Sequence, residues 1–360
     1  MSSPGITIER STSTVDPARR AEILADPGFG RYFTDHMFVS TWSADEGWHG
    51  RTIRPYGPFS LDPATAVLHY AQEIFEGMKA YRHDDGTVWL FRPEANARRF
   101  QRSSRRLALP ELPQSDFVAA LEALVRTDAD WVPSGGEKAL YLRPFMFASE
   151  AFLGVRPAGR VTFAVIASPA GSYFPSGPQP VTIWLSEEHT RAAPGGTGAA
   201  KCGGNYAASL LAQQEAVANG CAQVAFLDAA ERSRVEELGG MNLFFVYADG
   251  TLVTPELTGS ILEGVTRASV IELAEDLGHK VDERAVLAAE WKDGVASGDI
   301  TEVFACGTAA VVTPIGTLRW RGGEVRAGDS FPVAAEIRAR LLDVQYGRGA
   351  DARHWMHRVL

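Results

Sequence analysis

The sequence predicts a two-domain fold of mixed structure, of the α+β or mixed α/β kind. Three observations carry this. The chain has 360 residues, more than one hydrophobic core usually serves, so two domains are expected. Strand-forming runs are mixed with helical periodicities. Tight turns at Asp84-Asp85-Gly86 and Asp249-Gly250 join strands as hairpins instead of strict βαβ crossovers. Between Gly171 and Pro180 stand three prolines and two glycines, which suits a connection better than a regular element. The expected organisation is an N-terminal domain over 1–170, whose first 30 residues form a surface arm, a linker over 171–180, and a C-terminal domain over 181–360.

The elements follow in order. Arg31 to Trp42 is dense in strand formers, and Arg51 to Tyr56 reads as a second strand. Leu68 to Gly77 begins helix-like, and Met78 to Arg82 then reads as a strand that turns back into Thr87 to Phe91. Pro93 opens a helix running to Leu107. Ser115 is placed to cap another, carrying Phe117, Leu121, Leu124 and Val125. Ala139 to Pro144 and Val161 to Ile166 are two further strands. In the second domain Val181 to Leu185 is a strand. Asn205 opens a helix with Ala207, Leu210, Leu211 and Val217 on its apolar stripe. Strands are expected at Gln223 to Leu227, Val235 to Leu238, Met241 to Tyr247 and Ile300 to Cys306. Thr258 to Gly278 holds a helix with Gly264-Val265-Thr266 near its start, and further helices are expected over about Glu283 to Lys292 and Pro332 to about Val344.

Composition excludes several classes. Lys plus Arg number 35 against 44 Asp plus Glu, a net charge of -9, which argues against nucleic acid as a partner. The arginines at 98, 99, 102, 105 and 106 fall at helical spacing and read as a solvated face with one functional member. No apolar run reaches the length of a membrane span, and the first residues lack a basic-then-apolar signal pattern. Cys202, Cys221 and Cys306 are far apart and without metal-ligand spacing. Together these features fit a reduced, cytoplasmic protein.

Chemistry gathers at Ala193 to Gly220. A small-residue run from Gly195 to Ala200 lets a backbone or flat ligand come close, and one lysine, Lys201, follows it in a tight, largely uncharged neighbourhood. Desolvation favours a neutral amine, which attacks an aldehyde. A surface lysine on a glycine-rich loop is the plain alternative. A phosphate-binding P-loop is disfavoured, because Ala200 and Cys202 stand where that motif needs glycine and a hydroxyl.

Four motifs in order resemble the branched-chain amino acid aminotransferases of the fold-type IV pyridoxal-phosphate group. They are F-E-G-M-K-A-Y-R from Phe75, K-C-G-G-N-Y-A from Lys201, E-L-G-G-M-N-L-F from Glu237, and the pair I-L-E-G-V-T-R from Ile261 with C-G-T-A from Cys306. The resemblance runs from about Arg31 to the C-terminus. It implies a homodimer that binds pyridoxal 5'-phosphate between its domains and acts on small-molecule amino acids and 2-oxo acids. Lys201 is implied as the attachment point and proton carrier, Tyr206 as the partner of the ring hydroxyl, and Glu237 as the partner of the ring nitrogen. Glu236, on the opposite face of the same strand, is left as a solvated neighbour. Arg99, with Arg98 as its rival, and the helix start at Val265-Thr266 are implied for the phosphate, and Leu262 for packing on the ring. Gly240 stands where some relatives carry threonine. Ala310 and Thr313 stand where animal relatives carry a redox-active cysteine pair.

For the substrate, the resemblance implies the turn Gly307-Thr308-Ala309 as an anion nest, with Thr308 also near the cofactor. Tyr141 and Arg143 are implied as further carboxylate partners. Tyr70, Phe75, Val155 and Tyr173 are implied as an apolar wall. A D-amino acid transaminase or aminodeoxychorismate lyase on the same fold is the alternative within the cofactor class. A nucleotide-binding or catalytically dead binding protein is the alternative outside it.

Overall fold

The structure, a computed structural model, describes residues 5–171 and 179–360. Tyr173 and most of the expected linker lie outside the described residues. The chain divides into two compact units. One comprises Met1–Pro175, Ala200–Gly203 and Val344–Leu360, and the other Ser176–Ala199 and Gly204–Asp343. Two short stretches of the expected C-terminal domain, one of them carrying Lys201, thus group with the first unit.

In the first unit the expected surface arm is partly structured. Strand β1 (Thr7–Ile8) pairs in parallel with Thr52 and Ile53, and helix α1 (Pro17–Ala25) follows. Asp16 caps α1 by accepting from the N–H groups of Ala18 and Arg19, and Pro17 sits in its first turn. One buried side chain, Ile23, ties α1 to the core, too sparse a stripe to show as periodicity. Next come β2 (His36–Ser43) and β3 (Gly47–Pro55). Helix α2 (Ala66–Tyr70) is shorter than expected, because Ala71 takes a left-handed φ of 48° and ends it. The freed residues form β4 (Glu73–Phe75), ahead of β5 (Met78–Arg82) and β6 (Val88–Phe91). Helix α3 (Pro93–Arg106) matches its expected span. Helix α4 (Gln114–Thr127) starts from Pro113, with no side-chain cap, so Ser115 lies inside the helix and does not cap it. Strands β7 (Ala139–Ala148) and β8 (Arg160–Ala170) complete the segment.

Among the described residues these strands form one sheet in the order β1-β3-β2-β8-β7-β5-β6, closed at its far edge by Met356–Arg358, with β4 also on β7. Its core is aromatic. The rings of Phe100 on α3 and Phe117 on α4 lie 5.6 and 6.1 Å from that of Phe163 on β8, and all three are fully buried. Each such side chain contributes about 1.5–3 kcal/mol by burial.

At the closing strand, His357 lies between Glu94 at 3.3 Å and Glu122 at 2.6 Å. The hydrogen bond to Glu94 leads in raising the imidazole to about 9, with burial opposing and Glu122 adding to it. A folded value above the unfolded one gives stability that is complete below pH ~6.5 and lost as pH rises through about 9. Urea melts from pH 6 to 10 are expected to show this loss, and His357→Gln to flatten it. An unchanged slope in the variant would assign the dependence elsewhere.

The second unit opens with β9 (Val181–Ser186). Helix α5 (Gly203–Ala218) begins two residues before the expected Asn205, and its first residue belongs to the first unit. The stripe expected to be buried is exposed at Ala207, Leu210, Leu211 and Val217, while Asn205, Ser209, Ala212 and Ala216 are buried. The sheet explains the inversion. Trp184, Val224 and Phe226 fill the space under α5, and only small side chains of the helix fit against them. Strands β10 (Gln223–Leu227), β11 (Val235–Leu238), β12 (Asn242–Tyr247) and β13 (Leu252–Thr254) follow.

Helix α6 (Val265–Asp276) starts where it is expected, at Val265-Thr266, and Thr258 to Gly264 ahead of it is loop. Strand β14 (Val281–Glu283) and helix α7 (Ala288–Ser297) replace the helix expected from Glu283. Strands β15 (Ile300–Gly307), β16 (Val311–Trp320) and β17 (Gly323–Arg326) and helix α8 (Pro332–Gln345) close the chain of elements. The sheet order is β11-β10-β9-β16-β15-β12-β13-β14, with β17 on β16. The stacked rings of Phe244 and Phe304 lie 5.1 Å apart under Val270 and Ala274 of α6 and Ile337 of α8. No helix among the described residues is long and apolar enough to cross a membrane.

Candidate active site

In the first unit the side chains gather around Lys201. Its backbone carbonyl accepts from the Phe75 N–H at 2.9 Å, and its N–H donates to Ser103 Oγ at 3.0 Å. The half-buried ammonium stands 4.9 Å over the Phe75 ring, and Arg143 lies 4.8 Å from the same ring. Helix α3 supplies the support. Asn96, Arg99 and Ser103 fall at i, i+3 and i+7, on one buried face. Arg99 grips Glu76 with two bonds of 2.7 Å, Nε to Oε1 and Nη2 to Oε2, and Asn96 adds a third at 2.8 Å. Arg98 is exposed, which separates it from Arg99.

The neighbourhood of Lys201 is therefore charged, contrary to expectation. Burial pushes the Glu76 carboxyl up. Arg99, Lys201 and Asn96 more than offset that and hold it below its ordinary value. Glu73 goes the other way. Burial raises it, against the Gly203 N–H and Arg143. Tyr141 Oη accepts from Arg143 Nη2 at 3.1 Å. A side chain at Gly77 would collide with that hydroxyl, which is why the first motif needs glycine there. Phe75, Tyr141 and Arg143 are thus brought together. Tyr70 donates its hydroxyl to the Leu153 carbonyl at 2.6 Å and is 39% exposed, and Val155 is 91% exposed. Within this unit neither joins an apolar wall.

In the second unit the centre is Glu237 on β11, 2% exposed. Its Oε1 meets Arg191 Nη1 at 2.9 Å and accepts from the Leu262 N–H at 2.8 Å. Its Oε2 accepts from Asn242 Nδ2 at 3.3 Å. Asn242 also donates to the Leu262 carbonyl at 3.0 Å, so one amide links the strand to the loop before α6. Helix α6 begins at Val265 and Thr266 with Gly264 as its cap residue and no side-chain cap. Its first N–H groups therefore remain available to an anion.

Gly203 and Gly204 open α5, and Tyr206 follows half-buried. A Cβ at Gly240 would lie 3.9 Å from the Tyr206 ring, an ordinary contact. Thr308 and Ala309, both half-buried, form the tip of the β15–β16 hairpin, where Gly307 pairs with Val311. Val311 holds φ 62°, a strained value for a β-branched residue, and such strain gathers at functional turns. Cys306 lies just before the tip, and burial pushes its thiol up to about 12.

Sequence reasoning missed Arg191, Asn242 and Glu76. Asn242 and Glu76 lie inside the quoted motifs, so the signal was present. Arg191 is a single arginine in a polar loop, and only the fold shows that it is buried. Glu236 is also corrected. It is 5% exposed, not solvated. Gly264 gives a direct test of the loop, since a Cβ there would overlap Asn242 Oδ1. Gly264→Ala is expected to cost about 1–3 kcal/mol, as overpacking does, and thermal melting would read it. No loss of stability would mean that Asn242 does not anchor the loop.

The chain belongs to the class IV aminotransferase family, whose model matches residues 73–318. Over nearly its whole length it is similar to branched-chain-amino-acid aminotransferases. The probable enzyme of that name from Streptomyces coelicolor is 58% identical, with 99% of each chain covered. The crystal structure of the Escherichia coli branched-chain amino acid aminotransferase superposes with a TM-score of 0.74 at 28% identity, covering 89% of this chain and 99% of that one. The enzyme from Thermobaculum terrenum in its PLP form gives 0.72 at 27%, covering 91% and 98%. The expected fold-type IV architecture is thus found.

Proposed function

We propose that the protein is a branched-chain amino acid transaminase. It exchanges the amino group between L-leucine, L-isoleucine or L-valine and 2-oxoglutarate by a ping-pong route, giving branched-chain 2-oxo acids and L-glutamate. The observation that carries this reading is Glu237, a buried carboxylate held by Arg191, Asn242 and the Leu262 N–H. A carboxylate kept dry beside a fixed cation suits a protonated ring nitrogen. The uncapped start of α6 suits a phosphate. This donor set fits pyridoxal 5'-phosphate, which when bound supplies a ring that withdraws electrons from the substrate's Cα.

Each residue then has a role. Lys201 Nζ would hold the cofactor at its aldehyde end and would carry the substrate's Cα proton. Phe75 beneath it limits where the amine points. Glu237 maintains the positive charge on the ring nitrogen, and the Tyr206 phenol bonds the ring hydroxyl. Arg99 and the N–H groups of Val265 and Thr266 hold the phosphate, and Leu262 packs on the ring. The N–H groups of Thr308 and Ala309 receive the α-carboxylate, with Thr308 also touching the cofactor. Arg143 and Tyr141 serve a carboxylate, and Phe75 and Tyr173 serve the branched side chain. The reading includes a cytoplasmic homodimer whose linker spans 171–180. Light scattering that showed only monomer would remove the dimer.

The test is the visible absorbance of the purified protein before and after L-leucine alone. A yellow band that bleaches is expected. Bleaching by a D-amino acid but not by L-leucine would transfer the assignment to a D-amino acid transaminase. No band after soaking in pyridoxal phosphate would remove the role of Lys201.

A further inference from the structure

The strand that presents Glu237 to one side presents Glu236 to the other. Glu236 is 5% exposed, and its Oε1 accepts from the Ser260 hydroxyl. Its Oε2 is buried and has no hydrogen-bond partner among the described residues. A buried carboxylate oxygen left unpaired is costly, and such groups in folded proteins ask for a ligand or ordered water. Glu236 lines a cavity of about 140 Å³ that lies wholly in the second unit.

The cavity walls are apolar at Pro194, Val235 and Ile261. Its polar lining is mainly acidic. Asp228, Glu231 and Glu256 line it with Glu236, against one cation among the described residues, Arg234. Burial holds the Glu236 carboxyl above its ordinary value, with the Ser260 hydroxyl and Arg191 pulling the other way and Asp228 adding to the rise.

We propose that this cavity is a second ligand site, which takes a short aliphatic cation bearing N–H donors, with its charged head at the acidic end beside Glu236 and its chain along the apolar wall. The size sets the ligand. A cavity of roughly 150 Å³ holds a molecule as large as benzene, so about six or seven non-hydrogen atoms fit. The site has a built connection to Glu237. Ser260 bonds Glu236 with its hydroxyl, while its carbonyl accepts from Arg191 Nη1 at 3.0 Å, and the same Arg191 nitrogen pairs with Glu237. Two residues on, the Leu262 N–H donates to Glu237. Occupancy at Glu236 therefore bears on the loop that holds Glu237.

The test uses propylguanidinium, a cation that does not condense with a cofactor aldehyde, titrated into the cofactor-loaded full chain by calorimetry. Saturable one-site binding is expected. Glu236→Gln is expected to weaken it by roughly ten- to a hundredfold, the worth of a charged hydrogen bond. Ala230→Trp plugs the cavity from an exposed lining position. It is expected to abolish binding while melting temperature, visible band and transamination stay as in the parent. No saturable binding to the parent chain overturns the proposal. So does binding that survives Ala230→Trp, or that survives Glu236→Gln in a folded protein, since the cation would then sit on other surface acids.

Discussion

Replacing Lys201 with alanine is expected to abolish transamination while leaving the fold intact. The structural contacts of residue 201 are made by its backbone, to the Phe75 N–H and to Ser103 Oγ, and alanine keeps both. The side chain is only half-buried, so little apolar burial is lost. Glu76 loses one neighbouring cation but keeps the bidentate Arg99 and the Asn96 amide. A positioned proton carrier alone is worth about 10²–10⁴ in rate, and covalent attachment is lost as well. Turnover of L-leucine with 2-oxoglutarate should therefore fall by at least ~10⁴-fold, with melting temperature nearly unchanged. Turnover within tenfold of the parent would show that Lys201 does not perform the chemistry.

Much of this arrangement was legible in the residues, for physical reasons. Hairpin turns and β-branched runs announced most strands, and Pro93 announced the start of α3, because these signals act locally. The motifs brought Lys201, Arg99, Tyr206 and Glu237 forward. What local signals do not report is which face of an element meets large side chains. On α5 the leucines look like the core stripe, yet Trp184 and Phe226 on the sheet leave room only for Ala212 and Ala216. The same limit hid Glu236, whose charge reads as solvated until the cavity behind β11 is seen. It also hid Arg191, whose burial depends on the Ser260 and Gly198 carbonyls, far from it or in an irregular loop. Buried ion pairs are long-range facts, and a one-dimensional pattern cannot supply them.

Glu237→Gln is the substitution that should separate electrostatics from shape. Glutamine preserves the volume on β11 and can still accept from the Leu262 N–H, but it leaves Arg191, 4% exposed, without its counter-charge. Breaking a buried pair by removing one partner costs about 3–5 kcal/mol, a large part of the stability of an ordinary domain. A marked drop in melting temperature is expected. Activity should also fall, by about 10²–10³-fold, the usual loss when a preorganised charge aimed at the reacting system is removed. The double variant Glu237→Gln with Arg191→Met removes the orphaned cation. Stability should then recover in part, since replacing both members of a buried pair by uncharged groups is often neutral, while activity should stay low. Recovery of both would mean that Glu237 serves only to hold Arg191. Recovery of neither stability nor activity would mean that the loop at Leu262 depends on the carboxylate itself. Stability regained without activity is the outcome that assigns Glu237 to the chemistry.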